Sequence, residues 1–275
     1  MRPVVSLVAG IVTLIAALVA VPLFWVSTHV ADEDGYVGFS RTLATDDELQ
    51  VALAAYLADD FVQRGVLPAE LQESATGVLT SVAQQATNET GFVEAWEATQ
   101  RSLHQSAFSD QPGPLTVDVG PIATFVADRV GDRLPVSIEV RGSVVVPLGA
   151  DANRDNIAAL DRSTTYALVA LMVVVVSAAV SLMAARSRPV ALAGLGLGAL
   201  VTAGVLQVVT EIVAPKLLDD TAPTTAFAGT FRRLLIDRVS ISLAEWLGWI
   251  AVAGAGAVVL GVVGRLVSGR PTSSS

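Results

Sequence analysis

Few side chains in this sequence could do chemistry. There is no cysteine, so a thiol nucleophile, a thiolate metal site and a disulfide framework are all excluded. The two histidines, His29 and His104, could bind metal or carry protons. Neither stands in a usual metal-binding pattern of spaced ligands, and no H-E-x-x-H, G-x-S-x-G or P-loop occurs. Adjacent acids at Asp46-Asp47 and Asp59-Asp60 are the residue types of glycosidase or cation sites. The first pair falls at a helix start. The second points in directions about 100° apart on a helix and does not converge on one substrate. Asn88-Glu89-Thr90 has the form of a glycosylation sequon, and Thr90 equally suits a helix N-cap. Gln207 and Glu211 stand four apart at the end of an apolar run, where a carboxylate marks the water boundary or, at depth, a proton or ion path. His104, Trp96 and Glu211 are therefore the functional candidates. No catalytic, cofactor-binding or metal-binding set is expected.

The elements that position these residues follow from charge and hydropathy. Of 275 residues, 52% are hydrophobic and 16% charged, and the net charge is −9. That excludes a disordered chain and gives no electrostatic basis for nucleic-acid binding. Four charge-free runs, 4–26, 163–185, 190–210 and 246–264, each approach the roughly 20 residues that cross a hydrocarbon core. The first is longer than the apolar region of a cleaved signal peptide, has no convincing small-x-small cut site, and reads as an uncleaved anchor; a cleavable signal peptide, with Arg2 as its basic start, is the rival reading. Arg2, Arg186, Arg188, Arg265 and Arg270 flank the runs on one side without any acid. Residues 29–162 hold 21 acids against 8 arginines. The positive-inside rule then places both termini and the tail 265–275 in the cytoplasm, and 29–162 outside the plasma membrane. The second outer loop, 211–245, opposes the rule with Lys216, Arg232, Arg233 and Arg238.

Residues 30–160 read as a small α+β domain in the order α-α-α-β-α-β. Thr45-Asp46-Asp47-Glu48 has the form of a capping box with Thr45 as N-cap. It opens a helix that carries Leu49, Leu53, Leu57 and Phe61 to Gly65. Pro68 opens a second helix to about Gln85, and a third runs from about Thr90 to Phe108. Leu115, Val117 and Val119 alternate as a strand, 121–130 is a short helix, and Val136, Ile138 and Val140 alternate as a second strand. A further helix begins near Arg154.

Small residues within the spans point to close helix packing, above all Gly194, Gly198, Ala257 and Gly261 in small-x3-small order. The stretch 226–243 is amphipathic. Phe227, Phe231, Leu234, Leu235 and Val239 form its stripe, and Arg232 and Arg233 lie mostly elsewhere. Phe231, Arg232 and Arg233 suit a helix in the headgroup plane, and the same stripe suits a helix packed on the external domain.

Phe92-x3-Trp96-x7-His104, then Leu-Thr-Val-Asp-Val-Gly-Pro at 115–121 and three closing spans, resembles a group of uncharacterised actinobacterial four-span membrane proteins. The resemblance implies an anchor, an extracytoplasmic domain and three further spans, and brings no activity or catalytic residue with it. The high ratio of Arg to Lys agrees with a high-GC source. The expected function is non-enzymatic, with an acidic external domain that meets a cell-envelope or membrane-protein partner beside the lipid bilayer. The alternative is a small-ligand sensor or carrier-like protein with a site between the external domain and the membrane helices.

Overall fold

A computed structural model describes residues 2–63, 77, 80–81, 84–89, 91–109, 116–133, 140, 142–147, 160, 162–219 and 225–268. The chain divides into two compact units. Met1–Thr28, Arg162–Lys216 and Arg238–Ser275 form the first; His29–Asp161 and Leu217–Asp237 form the second.

Among the described residues, four helices are long and apolar enough to cross a membrane: α1 (Arg2–Val26) and, later in the chain, helices at Ser163–Ala184, Arg188–Asp219 and Ala226–Ser268. Such runs become helices because hydrocarbon offers no partner to a backbone N–H or C=O, so each must be satisfied within the segment. After α1 the chain continues as a π-helical turn, Ser27–Ala31. There the Ser27 hydroxyl donates to the Phe24 carbonyl at 2.9 Å, and Thr28 donates to the carbonyls of Phe24 at 2.9 Å and Trp25 at 3.1 Å. These hydroxyls supply partners where the regular ladder is interrupted.

Two of the expected boundaries move. The helix containing Glu211 does not end there but runs on to Asp219, and the amphipathic stretch is one helix with the fourth apolar run. Helix therefore occupies 211–219 and 226–245 of the segment expected as the outer loop 211–245. Hydropathy marks where apolar residues stop; it does not mark where a helix stops, and Glu, Lys and Leu all propagate helix well.

The second unit begins with α2 (Glu33–Ser40), an element absent from the sequence reading; the Asp32 carboxylate caps it by accepting from the Gly35 N–H at 2.7 Å. A 3-10 turn at Arg41–Thr45 leads to α3 (Asp47–Gln63). The expected capping box is corrected by one residue. Thr45 belongs to the 3-10 turn and bonds back to Thr42, whereas Asp46 is extended and accepts from the Leu49 N–H at 3.0 Å. Asp46→Ala is accordingly expected to cost about 1 kcal/mol, and Thr45→Ala less than about half of that; thermal melts of the two variants decide between the assignments.

Next come α4 (Phe92–Ala107), β1 (Thr116–Asp118), α5 (Gly120–Arg133) and β2 (Val145–Pro147). Gly91 precedes α4 at φ +102°, a conformation that L side chains rarely adopt. β1 and β2 pair antiparallel, with Val117 opposite Val146. The sequence reading missed β2. The expected second helix falls largely outside the described residues, as do 134–139 of the expected second strand and the start near Arg154. Val144 and Val146 are buried, but a three-residue strand in a continuous apolar run shows no alternation to detect. The Asp118 carboxylate ties this corner together, accepting from the N–H groups of Gly120 at 2.8 Å and Val144 at 3.1 Å.

The second unit has its own core. Leu49, Leu53, Leu57 and Phe61 of α3 meet Phe92, Trp96 and Leu103 of α4, and Ile122 and Val126 of α5. Further along the chain come α6 (Ser163–Ala184), which follows a turn at Arg162, α7 (Arg188–Asp219) and α8 (Ala226–Ser268).

Candidate functional site

In the second unit the candidate residues gather around α4. Trp96 faces the core at 1% exposure, and its indole N–H donates to the Ser40 carbonyl at 3.1 Å. A buried indole needs such an acceptor, and the end of α2 supplies it. His104, two turns further along α4, is 8% exposed. Its Nε2 lies 3.0 Å from the Val30 carbonyl, which can only accept, so that nitrogen carries a hydrogen. The imidazole is stacked on Phe108 with ring centres 4.4 Å apart and is tilted against Tyr36 at 5.6 Å. Trp96 and His104 thus hold different parts of the chain, Trp96 the end of α2 and His104 the π-helical turn. They do not converge on a shared pocket.

Between them lies a polar pair that the sequence gave no reason to single out. Tyr36 donates its hydroxyl to Oε1 of the buried Gln100 at 3.0 Å. Burial pushes the Tyr36 phenol well above its ordinary value. The folded state therefore keeps this proton when the unfolded chain loses it, and the resulting stability is present below about pH 10 and lost as pH rises beyond it. Alkaline unfolding of the wild type should steepen above about pH 10, and Tyr36→Phe should flatten that slope.

Several of the acids form ion pairs with arginines. Arg101 meets Glu33 at 2.9 Å and Asp34 at 3.4 Å, Arg41 meets Glu97 at 2.9 Å, and Arg129 meets Glu89 at 2.6 Å. Pairs this accessible contribute at most about 1 kcal/mol each. The Asn88 amide donates to the Gln84 carbonyl at 3.2 Å. His29 packs edge-on against Phe39, 5.9 Å between centres. Among the described residues, no group of three or more His, Asp or Glu could hold a metal ion.

Residues 226–237 of α8 belong to this unit, and the interfacial expectation for Phe231 is corrected here. Phe227 and Phe231 are 4% and 5% exposed and lie in the core. Phe227 faces Tyr56 at 5.8 Å, Phe231 faces Trp96 at 6.2 Å, and Arg233 forms an ion pair with Glu48. Phe227, Phe231, Leu234 and Leu235 of the apolar stripe pack on this core, so neither phenylalanine is left as an anchor for lipid. Arg232 likewise has an intramolecular partner.

Within the first unit, α1 and α6 are joined by hydroxyls. Ser6 donates to the Ser181 carbonyl at 2.9 Å, Ser181 returns the bond to the Ser6 carbonyl at 3.0 Å, and Thr13 and Ser177 share a bond of 2.8 Å. The sequence reading passed over these four residues. Their signal was hydroxyl residues at matching depths in two apolar runs, a recognised adhesive between spans.

The glycine expectation is redistributed. A Cβ on Gly261 would come within 2.5 Å of the Pro189 carbonyl oxygen. One on Gly196 would come as close to the Gly254 carbonyl and within 2.9 Å of the Ala257 side chain. Gly261 and Ala257 are thus at the α7–α8 contact. Gly194 has open space around it, and Gly198 only an ordinary contact with Leu14 at 3.9 Å. Contact falls on Gly196 and Gly254 because residues two apart, such as 194 and 196, lie on opposite sides of a helix.

Glu211 is exposed and accepts from Gln207 at 3.1 Å. An open groove of about 830 Å³ between α1 and α6 is lined by apolar side chains, among them Val4, Val8, Val12, Met172 and Val176, together with Ser177. Comparison with protein families, with curated proteins and with solved structures returns no match to this chain.

Proposed function

We propose that this chain is a non-enzymatic, multi-pass protein of the plasma membrane. In this reading both termini are cytoplasmic, and the acidic second unit, a small α+β domain, lies outside the membrane and mediates interaction or assembly with a cell-envelope or membrane-protein partner. Membership in the actinobacterial four-span group belongs to the same proposal.

One observation carries it: the side chains of the second unit best suited to chemistry are engaged in holding the fold. His104 secures Val30, Trp96 secures Ser40, Asp46 caps α3 and Asp118 ties β1 to Val144. What such a unit offers to other molecules is its surface, and that surface is rich in carboxylates. The orientation rests on the arginines that flank the apolar runs without acids.

Photo-crosslinking from the exposed positions Asp34 and Glu94 in native membranes, followed by purification, tests the reading. A discrete higher-mass species from either position is the expected result. A chain that runs as an isolated monomer from both would overturn it.

A further inference from the structure

The seat of 226–237 follows a recurring mode of recognition, an amphipathic helix laid into a groove. Its anchors are Phe227, Phe231, Leu234 and Leu235, spaced i, i+4, i+7 and i+8. The groove is formed by α3 and α4, with Tyr56 and Trp96 on its floor and Glu48 at its rim. The segment comes from far away in sequence: Arg233 and Glu48 are 185 residues apart. Its backbone is bonded along its own helix from the start, where the carbonyl and hydroxyl of Thr225 accept from the N–H groups of Gly229 and Ala228 at 3.0 Å. Its hold on the groove includes ring contacts, apolar packing and an accessible ion pair in which Arg233 is 45% and Glu48 55% exposed. An element at one end of its helix, held by side chains and bonded through its backbone only within that helix, can unfold locally without breaking the ladders of α3, α4 or the β1–β2 pair.

We propose that residues 226–237 are a strap occupying a helix-binding groove of the second unit. The partner suited to that groove is an amphipathic helix of the same chemistry, with aromatic or aliphatic anchors four and seven to eight residues apart and an arginine set to meet Glu48. This deepens the interaction reading above and rests on it. A tethered strap has a high effective concentration, so the groove is closed at rest and opens to a competitor that binds it well. The acid-rich setting favours a basic helix over an acidic one.

The test uses the full chain in nanodiscs. In hydrogen exchange on the wild type, amides of 226–237 should exchange at least about tenfold faster than those of α4, because the strap opens without global unfolding of the unit. Absence of native cysteine permits a second arm, in which Glu48→Cys and Arg233→Cys, at positions whose native side chains span the gap as an ion pair, are joined by a bis-maleimide that locks the strap. A labelled synthetic peptide of residues 225–240 should bind the uncrosslinked protein saturably and lose at least about tenfold in affinity on crosslinking. Exchange of 226–237 in step with α4, or peptide binding indifferent to crosslinking, would overturn the proposal and make the segment ordinary core. The wild-type exchange arm stands even if the double variant does not fold. Crosslinked partners recovered from Asp34 or Glu94 would survive either failure, so loss of the strap and loss of the interaction reading are separable.

Discussion

Gly261→Leu is expected to abolish assembly of the membrane helices, whereas Gly194→Leu in the facing helix leaves it intact. Both are glycines of apolar helices, and the sequence alone ranks them equally. The structure separates them. At Gly261 even a methyl group would stand 2.5 Å from the Pro189 carbonyl, 2.6 Å from the Ala193 nitrogen and 2.7 Å from its Cβ. Two of these atoms are backbone, so no rotamer change relieves the clash, and α7 and α8 must separate along their contact. Overpacking of this kind costs about 1–3 kcal/mol where the surroundings can shift, and more where the obstacle is backbone. Separation also discards the dispersion contacts that hold spans together. At Gly194 nothing stands within 4 Å of the added atom, so the change is expected within about 0.5 kcal/mol. Thermal aggregation of detergent-purified protein reads the difference: collapse of the yield or midpoint for Gly261→Leu, and a wild-type curve for Gly194→Leu. Equal behaviour of the two variants would show that the α7–α8 contact is placed wrongly.

Trp96→Ala is the second large effect. The side chain is 1% exposed and touches groups from α2 and α8 as well as its own surroundings. Truncating a buried tryptophan costs about 3–5 kcal/mol through lost transfer energy and the cavity left behind. The Ser40 carbonyl also loses its donor, and a buried unpaired acceptor costs about 1–3 kcal/mol. Set against a typical domain stability of about 5–15 kcal/mol, the unit should lose most of its margin. Trp96→Phe keeps much of the packing and forfeits the hydrogen bond, so its expected loss is about 1–3 kcal/mol. Near-ultraviolet dichroism during chemical unfolding measures both. A Trp96→Ala protein with the wild-type midpoint would remove Trp96 from the centre of the core.

What the sequence revealed and what it hid divide along physical lines. The spans were legible because about 20 apolar residues in a row leave little but a crossing helix. The core face of α3 was legible because Leu49, Leu53, Leu57 and Phe61 repeat at helical period. The start of α3 was off by one residue because Thr45 and Asp46 are both good caps, and only the 3-10 turn before them decides which side chain reaches an N–H. α2 escaped notice because eight residues with glycines at 35 and 38 show little periodicity.

The candidate site was legible as residue types but not as roles. Trp96 and His104 stood out by chemistry, yet their partners, Ser40 and Val30, are backbone carbonyls that carry no sequence signal. The amphipathic stripe at 226–243 fitted lipid or protein equally well, since both bury the same apolar area. Its placement against Tyr56 and Trp96 is a tertiary fact.

The placement of the acidic unit across the membrane from the flanking arginines is tested most directly by single-cysteine labelling, for which the cysteine-free chain is already suited. Asp34→Cys in the second unit and Ser187→Cys in the turn between α6 and α7 are treated with a membrane-impermeant maleimide, in intact cells and after permeabilisation. The account predicts that Asp34→Cys is labelled in intact cells and Ser187→Cys only once the membrane is opened. Labelling in the reverse order, or of both positions without permeabilisation, would contradict it.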